Sequence, residues 1–430
     1  MLLAGCGCFD VRRQVSSVLD EPQVTDERIS QSESSSNQHL VAELRRFATF
    51  EELRRSEFYR THREELSRLL DRPKIYRAAD CKPRLSSFLR VVEWNIERGS
   101  RLDGIVEVLN WHPVLKFADL LLINELDEGM VRSGNLNVPL ELSRALSAHA
   151  IFGVEYLELT KGAGDELALK GENTAAVHGN AILTRHPFSN AEVFRLPRCE
   201  NNFESMERRI GGRIGIIIEL EVGGEKLIVG NTHLDVTNTP RCRAIQMRAM
   251  LQAMETGITK AGGNRNAIIG GDLNTHTFAR GTRLRAMKNT ATILGSKRER
   301  LVRRLNHPET REPAIREFDK FDYLTEDFND QRATSRSIVS NLDDPSGLPS
   351  PMRWWVNRRV GPNGLLLEFR LDWLAARGLR ALNTREALDH KTGAASVDAQ
   401  TFQGLEYKGS PLSDHDPIVA DISVDDFTSI

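Results

Sequence analysis

The sequence predicts a layered α/β domain, because segments typical of buried strands alternate with amphipathic helices through most of the chain. The runs Leu120–Ile123 and Ala267–Ile269 are apolar without alternation, as expected of strands covered on both faces. A helix is predicted from about Leu102 to Leu109, ahead of the first of these runs. At 430 residues the chain can hold one large domain with extensions, or two ordinary domains.

Composition excludes several classes of protein. The hydrophobic fraction of 40% and the charged fraction of 27% are those of a soluble globular protein, and no apolar run is long enough to span a membrane. The net charge of −2 gives no overall field that would draw the molecule to nucleic acid. The five cysteines lack metal-ligand spacing, so neither a disulfide framework nor a structural zinc site is expected. A monomer is the default expectation.

The chain is predicted to have three parts: a serine-rich, disordered segment (1–39), a helical extension (40–83) and a main domain (84–430). Leu3-Ala4-Gly5-Cys6 has the small residues of a bacterial lipoprotein cleavage box, but no basic and apolar segments precede it. A cytoplasmic location is therefore expected. An envelope lipoprotein is the alternative if the true start lies upstream of Cys6.

Apolar periodicity places the elements in order along the chain. Leu40 to Leu70 is predicted to be helical, and Asp71-Arg72-Pro73 ends that pattern. Gly223-Gly224 predicts a hairpin, and Thr239-Pro240 predicts the start of a helix. Besides the run at Ala267, the predicted strands are Phe88–Ile96, Ala118–Glu125, Val177–Thr184, Ile214–Glu221, Lys226–Leu234, Leu366–Leu374 and Pro417–Val424.

The stretch Asn266–Thr275 carries the strongest chemical signal. Asp272 and Asn274 are two residues apart at the end of a predicted buried strand, so they share one face of the extended chain. A carboxylate can take a proton from water while a neighbouring amide orients the attacking oxygen. Asp and Asn also cap helices and form turns, so this motif alone leaves both interpretations open.

Other predicted strands also finish in side chains that can bind metal or phosphate. Capping does not explain this repetition, because caps need not follow the pattern of the sheet. The residues at or near strand ends are Asn95, Glu125, His233, Asp272, Asn274, Asp372, Asp414 and His415.

These residues lie in motifs that resemble the endonuclease/exonuclease/phosphatase family when they are taken in order. The motifs are Trp94-Asn95-Ile96, Asn124-Glu125-Leu126, Gly179-Asn180-Ala181, Thr232-His233-Leu234, Gly271-Asp272-Leu273-Asn274, Arg370-Leu371-Asp372-Trp373 and Ser413-Asp414-His415-Asp416-Pro417. The resemblance covers about residue 84 to the C-terminus. It implies a four-layer α/β (α+β) sandwich, DNase I-like, with two packed mixed sheets, helices outside and the site at one rim.

The resemblance also implies a role for each matched residue. Glu125 is expected to be the main Mg²⁺ ligand (Mn²⁺ is possible), with Asn95 and Asp414 near the ion. Asp272 is expected to activate water and Asn274 to orient it, while Asp372 holds His415 against the phosphoryl oxygens. His233 is a candidate phosphate ligand or general acid. Possible phosphate contacts are Asn180, Arg209 and Arg213.

The chain departs from the family pattern in two places. Asn124 replaces the usual glutamine before the metal-ligand glutamate, and the tyrosine motif of abasic-site endonucleases is not evident. The missing tyrosine motif disfavours an abasic-site repair enzyme. The resemblance as a whole implies a Mg²⁺-dependent phosphoester hydrolase, with a nuclease or phosphodiesterase favoured. The alternatives are a phosphatase or phospholipase C-type enzyme acting on phospholipid or inositol-phosphate headgroups, and a non-catalytic binding module.

A long insertion, at about 275–365, bears on the substrate. Its first part, 280–316, contains eleven Lys or Arg and three Glu, a net charge of +8 in a chain of net −2. This charge is either a solvated helix surface or a surface that tracks a polyanion, and the second interpretation favours nucleic acid.

Overall fold

The computed structural model of the protein describes residues 37–199, 201–262, 266–278, 283–339, 354 and 365–423. Of the segment predicted to be disordered (1–39), residues 1–36 lie outside the described residues, and Cys6 is among them. Residues 37–44 are helical (α1). Much of the predicted insertion is described, but 279–282, 340–353 and 355–364 lie outside the described residues.

Two mixed sheets form the centre of the fold. The larger has the order β1-β4-β5-β3-β2-β17-β14 with β7 added beside β4, and the smaller has the order β13-β10-β9-β8-β6. The strands are β1 Lys74–Tyr76, β2 Phe88–Arg98, β3 Leu120–Glu128, β4 His149–Glu158, β5 Val177–Thr184, β6 Phe188–Arg195, β7 Arg209–Gly211, β8 Ile214–Val222, β9 Glu225–Thr232, β10 Ala267–Asp272, β11 Ser335–Val339, β12 Leu365–Phe369, β13 Asp372–Arg377, β14 Gln400–Thr401, β15 Glu406–Tyr407, β16 Ser410–Pro411 and β17 Ile418–Ser423.

Helices cover the outer faces of both sheets. The remaining elements are α2 Phe50–Arg55, α3 Glu57–Asp71, α4 Leu102–Trp111, α5 Val138–Leu146, α6 Pro240–Lys260, α7 Arg283–Gly295, α8 Arg298–Asn306 and α9 Ile315–Lys320. Ile105 of α4 and Leu142 of α5 join the core under the larger sheet, and Met250 of α6 and Phe318 of α9 join the core under the smaller one.

A third apolar core lies between the sheets, where Val91 and Leu122 of the larger sheet pack in one cluster with Ile216 and Ile268 of the smaller. The order helix, sheet, sheet, helix confirms the predicted four-layer sandwich.

Two predicted elements are divided in the structure. The predicted strand Leu366–Leu374 is wrong, because β12 pairs with β11 whereas β13 joins the smaller sheet. Thr334 causes the break: its hydroxyl accepts hydrogen bonds from the backbone N–H groups of Leu371 (3.0 Å) and Asp372 (3.1 Å), which turns the chain between the strands. The predicted helix 40–70 is interrupted where Thr49 and Ser56 cap new helices.

The N-terminal helices pack on the larger sheet. Leu40, Leu53 and Leu66 are buried in the same cluster as Leu157 of β4. The Arg45 Nε also donates a 2.6 Å hydrogen bond to the carbonyl of Leu159. These contacts tie α1–α3 to the sandwich through apolar burial, which is the main stabilising term for such helices.

The cysteine pairing and the helix lengths bear on two expectations drawn from composition. A disulfide joins Cys199, after β6, to Cys242, in the first turn of α6. No disulfide framework was expected from the sequence, and this bridge departs from that expectation because the fold brings together positions 43 residues apart. No helix among the described residues is long and apolar enough to cross a membrane.

Candidate active site

The polar residues predicted at strand ends meet at one edge of the sandwich, where the backbone is unusual. Glu97, Arg98, Glu125 and Asn274 all have φ between 46° and 67°, a region that residues with a Cβ rarely occupy. Gly271 has φ 144°, and a Cβ there would lie 1.8 Å from the carbonyl oxygen of Thr232. Such conformations cluster at functional sites, where the surrounding structure holds them in place.

Asp272 is fixed from several sides. The Asn95 amide donates to Oδ2 (3.1 Å), and the backbone N–H of Asn274 donates to Oδ1 (2.8 Å). The backbone N–H of Asp272 donates to Oδ1 of Asn124 (2.7 Å). The family departure at Asn124 therefore holds the strand that carries Asp272. Burial, followed by the charge of Asp372, raises the pKa of Asp272 to about 7.

His415 and Asp372 form a buried pair beside Asp272. Nδ1 of His415 lies 2.8 Å and 3.0 Å from the two carboxylate oxygens of Asp372, and the Thr334 hydroxyl donates to Oδ2 (2.5 Å). Burial alone would lower the pKa of His415, but Asp372, Asp414 and Asp272 raise it well above its ordinary value. These three carboxylates therefore favour the protonated form of the ring.

Asp372 begins β13, directly opposite Asp272 at the end of β10, because the two strands are antiparallel. The ligand atoms of Asp272, Asp372 and His415 all lie within 4.8 Å of one another.

His233 follows β9, the strand next to β10 in the smaller sheet, and faces Asp272 with 3.4 Å between its Nε2 and Oδ2 of Asp272. The Arg213 guanidinium lies 2.9 Å from Nδ1, and because Arg can only donate, Nδ1 must accept. Nε2 points at Asp272, and a second donor, Nδ2 of Asn274, lies beside it. Burial and the charge of Arg213 lower the pKa of His233 well below its ordinary value. The Asn274 amide is 3.0 Å from Nε2.

Carboxylates and amides with metal-binding oxygens collect on the larger sheet. Burial alone would raise the pKa of Glu125, but Arg98, His178 and His415 lower it. Burial raises the pKa of Asp414, and the charges of Glu125 and Asp372 raise it further. Such an accumulation of acidic oxygens, with the Asn95 amide among them, can hold a divalent cation.

Sequence reasoning missed two residues of this edge and one contact between predicted residues. Burial and Asp414 raise the pKa of Glu97, which places a further carboxylate near the proposed metal ligands. Its signal was its position two residues beyond Asn95. Thr334 had no signal, because it comes from the long insertion. The contact of Arg213 with His233 joins two residues that were predicted separately.

Of the predicted phosphate contacts, Asn180 and Arg213 are buried and Arg209 is half-buried. Asn180 accepts a hydrogen bond from the backbone N–H of Glu125 (3.2 Å), and among the described residues its Nδ2 has no partner. Arg213 donates to Glu155 (2.8 Å), and Arg209 lies over the ring of Tyr156. Roles for these three residues in phosphate binding remain proposals.

Glu158, beside Arg209, predicts a pH-dependent stability. It is fully buried, and burial followed by the charge of Glu207 raises its pKa to about 7 from 4.5. The folded state therefore holds this proton more tightly than the unfolded state, so stability should fall as pH rises from about 4.5 to about 7. Glu158→Gln removes this penalty, and its gain in unfolding free energy at pH 8 should exceed that at pH 5 by at most about 3 kcal/mol.

Urea unfolding at the two pH values measures this difference. Glu221→Gln, at an exposed position of β8, is the matched control and should show no such difference. Equal effects of Glu158→Gln at both pH values would contradict the prediction.

Comparison with known proteins now identifies the family. The model of the endonuclease/exonuclease/phosphatase family matches residues 92–390, which is more than half of the chain. A search of curated protein sequences finds no match.

Solved structures that resemble the chain include the human Nocturnin catalytic domain with bound sulfate. That match has 16% sequence identity and a TM-score of 0.41, and it covers 83% of this chain and 97% of that chain. Zebrafish (D. rerio) TDP2 complexed with a single-strand DNA product matches with 17% sequence identity and a TM-score of 0.41, and the match covers 78% of this chain and 99% of that chain. An endonuclease/exonuclease/phosphatase from Bacteroides vulgatus matches with 14% sequence identity and a TM-score of 0.40, and the match covers 78% of this chain and 99% of that chain. The family match confirms the predicted resemblance, and the chain belongs to the endonuclease/exonuclease/phosphatase family of phosphoester hydrolases.

Proposed function

We propose that the protein is a divalent-metal-dependent phosphodiesterase that hydrolyses its substrate by direct attack of water. The observation that carries this proposal is the convergence of Asp272, the Asp372–His415 pair and His233 at the edge that also holds Glu125. A base, an imidazolium and a second imidazole within a few ångströms suit in-line displacement at phosphorus.

Each residue has a role that follows from its contacts. Asp272 is positioned by Asn95 and Asn274 to accept a proton from the attacking water. His415, kept cationic by Asp372, donates to a phosphoryl oxygen and stabilises its developing charge. His233 presents Nε2 near Asp272, where this nitrogen, when it carries a proton, can donate to the phosphoryl group or the leaving oxygen.

The metal site is proposed from the donor set. Glu125, Asp414, Asn95 and Glu97 would hold Mg²⁺ or Mn²⁺, since their oxygens fit such ions. When bound, the ion neutralises phosphoryl charge. Nδ2 of Asn180, which has no partner within the described part of the chain, lies beside the backbone of Glu125 and adds a hydrogen-bond donor for substrate oxygens.

The structure supports nucleic acid as the substrate class through the position of α8. Arg304 of α8 donates to the hydroxyl and carbonyl of Thr277, three residues after Asn274. The backbone N–H of Arg370, two residues before Asp372, donates to the carbonyl of Leu305. Both anchors attach α8 to segments that carry proposed catalytic residues. Exposed basic residues on α7, α8 and the following segment are Lys288, Lys297, Arg300, Arg303, Arg311 and Arg316.

Removing part of this charge should weaken nucleic-acid binding. Arg300→Gln with Arg303→Gln should make the log–log salt dependence of binding to duplex DNA less steep by about 1 to 2, because each phosphate contact contributes about −0.9. Fluorescence anisotropy at several salt concentrations measures the slope. Hydrolysis of bis(p-nitrophenyl) phosphate should continue, since that substrate is too small to reach α8.

The matched control is Arg60→Gln with Arg63→Gln, which removes the same charge from exposed positions of α3. The proposal of a nucleic-acid substrate fails if both double variants give the wild-type slope. A panel of plasmid DNA, RNA, phospholipid and inositol phosphates, assayed with Mg²⁺, then identifies the class that is hydrolysed.

A further inference from the structure

Three arginines, of which Arg98 is close to Glu125, are bridged by two carboxylates that come from loops. Glu166 accepts a 2.7 Å hydrogen bond from Arg98 through Oε1, and its Oε2 lies 3.7 Å from Nη1 of Arg132. Glu207 in the same way accepts from Arg132 (2.7 Å) and Arg209 (3.2 Å). Each carboxylate thus occupies a gap between two guanidinium groups.

The arginines are fixed to the sheet more firmly than Glu166 is. Arg98 ends β2, and its Cα pairs with that of Leu126, the neighbour of Glu125. Arg132 is held by Asp127, with hydrogen bonds of 2.8 Å and 3.0 Å, and its side chain is only 3% exposed. This bidentate pair keeps Arg132 in place whether or not Glu166 is present.

Glu166, in contrast, lies in the short turn Gly164–Ala168, in which no residue is buried. Gly162 and Gly164, which precede it, have φ of 135° and 56°, so the chain there is free of the Cβ restriction. The side chains of Arg98 and Glu166 are 33% and 22% exposed, so a ligand can reach the gap between Arg98 and Arg132 from solvent.

We propose that Arg98 and Arg132 form a binding subsite for a second substrate phosphate, next to the scissile one, and that Glu166 occupies this subsite until substrate displaces it. The proposal rests on the proposed function and deepens it. A carboxylate and a phosphate present similar oxygens to guanidinium groups, and a terminal phosphate monoester brings more charge to the two arginines than a carboxylate does. The substrate class is therefore an ester with at least two phosphates, such as a nucleic-acid strand, in preference to a metabolite with a single phosphate.

The test uses two chromogenic substrates that differ in one group: thymidine 3′-(p-nitrophenyl phosphate) with and without a 5′-phosphate. Glu166→Gln removes the competing charge but can still accept the backbone hydrogen bond of Ala163, which Oε2 receives at 2.9 Å. Its KM for the two-phosphate substrate should fall about three- to tenfold relative to that for the one-phosphate substrate.

Arg98→Gln should shift the preference in the opposite direction. Glu172→Gln is the matched control, because Glu172 lies in the same loop, is 67% exposed and pairs with Arg45 and Lys161 instead. It should leave the ratio of the two KM values unchanged.

The proposal is overturned if Glu166→Gln changes both substrates equally, or if it weakens the preference for the 5′-phosphate, since Glu166 would then support Arg98 and not compete with substrate. If the enzyme hydrolyses neither substrate, the proposed function is contradicted. The subsite is then decided by calorimetry with thymidine 3′,5′-bisphosphate: tighter binding to Glu166→Gln than to the wild type supports it, and equal binding rejects it.

Discussion

Asp272→Asn is expected to reduce kcat on a phosphodiester by about 10²- to 10⁴-fold, the usual contribution of a general base. The amide keeps the size of the side chain, so β10 and its pairing with β13 should persist. It loses the ability to accept a proton from water, while KM should change little because the substrate-binding groups remain. Steady-state kinetics with Mg²⁺ on bis(p-nitrophenyl) phosphate measures the effect.

Asp80→Asn, at an exposed position ahead of β2, is the matched control and should keep wild-type activity. Circular dichroism and thermal unfolding establish that both variants are folded. Wild-type kcat for Asp272→Asn would show that another group activates the water, and the role given to this strand end would be wrong.

The Asp372–His415 pair should behave as one unit. Asp372→Asn and His415→Ala are each expected to lower kcat/KM by about 10²-fold or more, because the imidazole needs its carboxylate for both charge and orientation. The double variant should lose little beyond the larger single effect. A coupling free energy near zero in this double-mutant cycle, with losses that simply multiply, would mean that the two residues act independently.

Thr334 offers a graded test of the same pair. Its hydroxyl donates to Oδ2 of Asp372 and accepts from two backbone N–H groups, so Thr334→Val loosens the carboxylate without removing it. The loss of activity should be smaller than that of Asp372→Asn.

Much of the fold was predictable because buried strands have a simple signature. The apolar run before Asp272 predicted a strand covered on both faces, and the alternation of side chains predicted that Asp272 and Asn274 lie together. Val177–Thr184 was predicted with the bounds that the structure shows. The hairpin at Gly223-Gly224 joins β8 to β9, as predicted.

The rest depends on contacts between residues far apart in sequence. Thr334 reaches Asp372 from the insertion, and Cys199 reaches Cys242 across 43 residues, distances over which no periodicity applies. The predicted strand Leu366–Leu374 failed because its apolar character continues through a break that Thr334 imposes. Glu97 was missed because it lies beyond the predicted strand end at Ile96, whereas β2 continues to Arg98 with a left-handed backbone at Glu97.

The ion pairs of Arg209 and Arg213 show a similar limit. Arg209 and Arg213 were identified as possible phosphate contacts, but sequence gave no sign that Glu207 and Glu155 would bind them. Pairing of buried charges is decided by the packed structure, since each unpaired charge would be costly there.

Metal dependence tests the central claim most directly. Protein stripped with a chelator and returned to metal-free buffer should show no hydrolysis of bis(p-nitrophenyl) phosphate, and Mg²⁺ or Mn²⁺ should restore it. Glu125→Gln should require a higher metal concentration for half-maximal activity, because it removes a ligand charge. Undiminished hydrolysis by the stripped wild-type protein would contradict a metal-dependent phosphodiesterase at this edge of the sandwich.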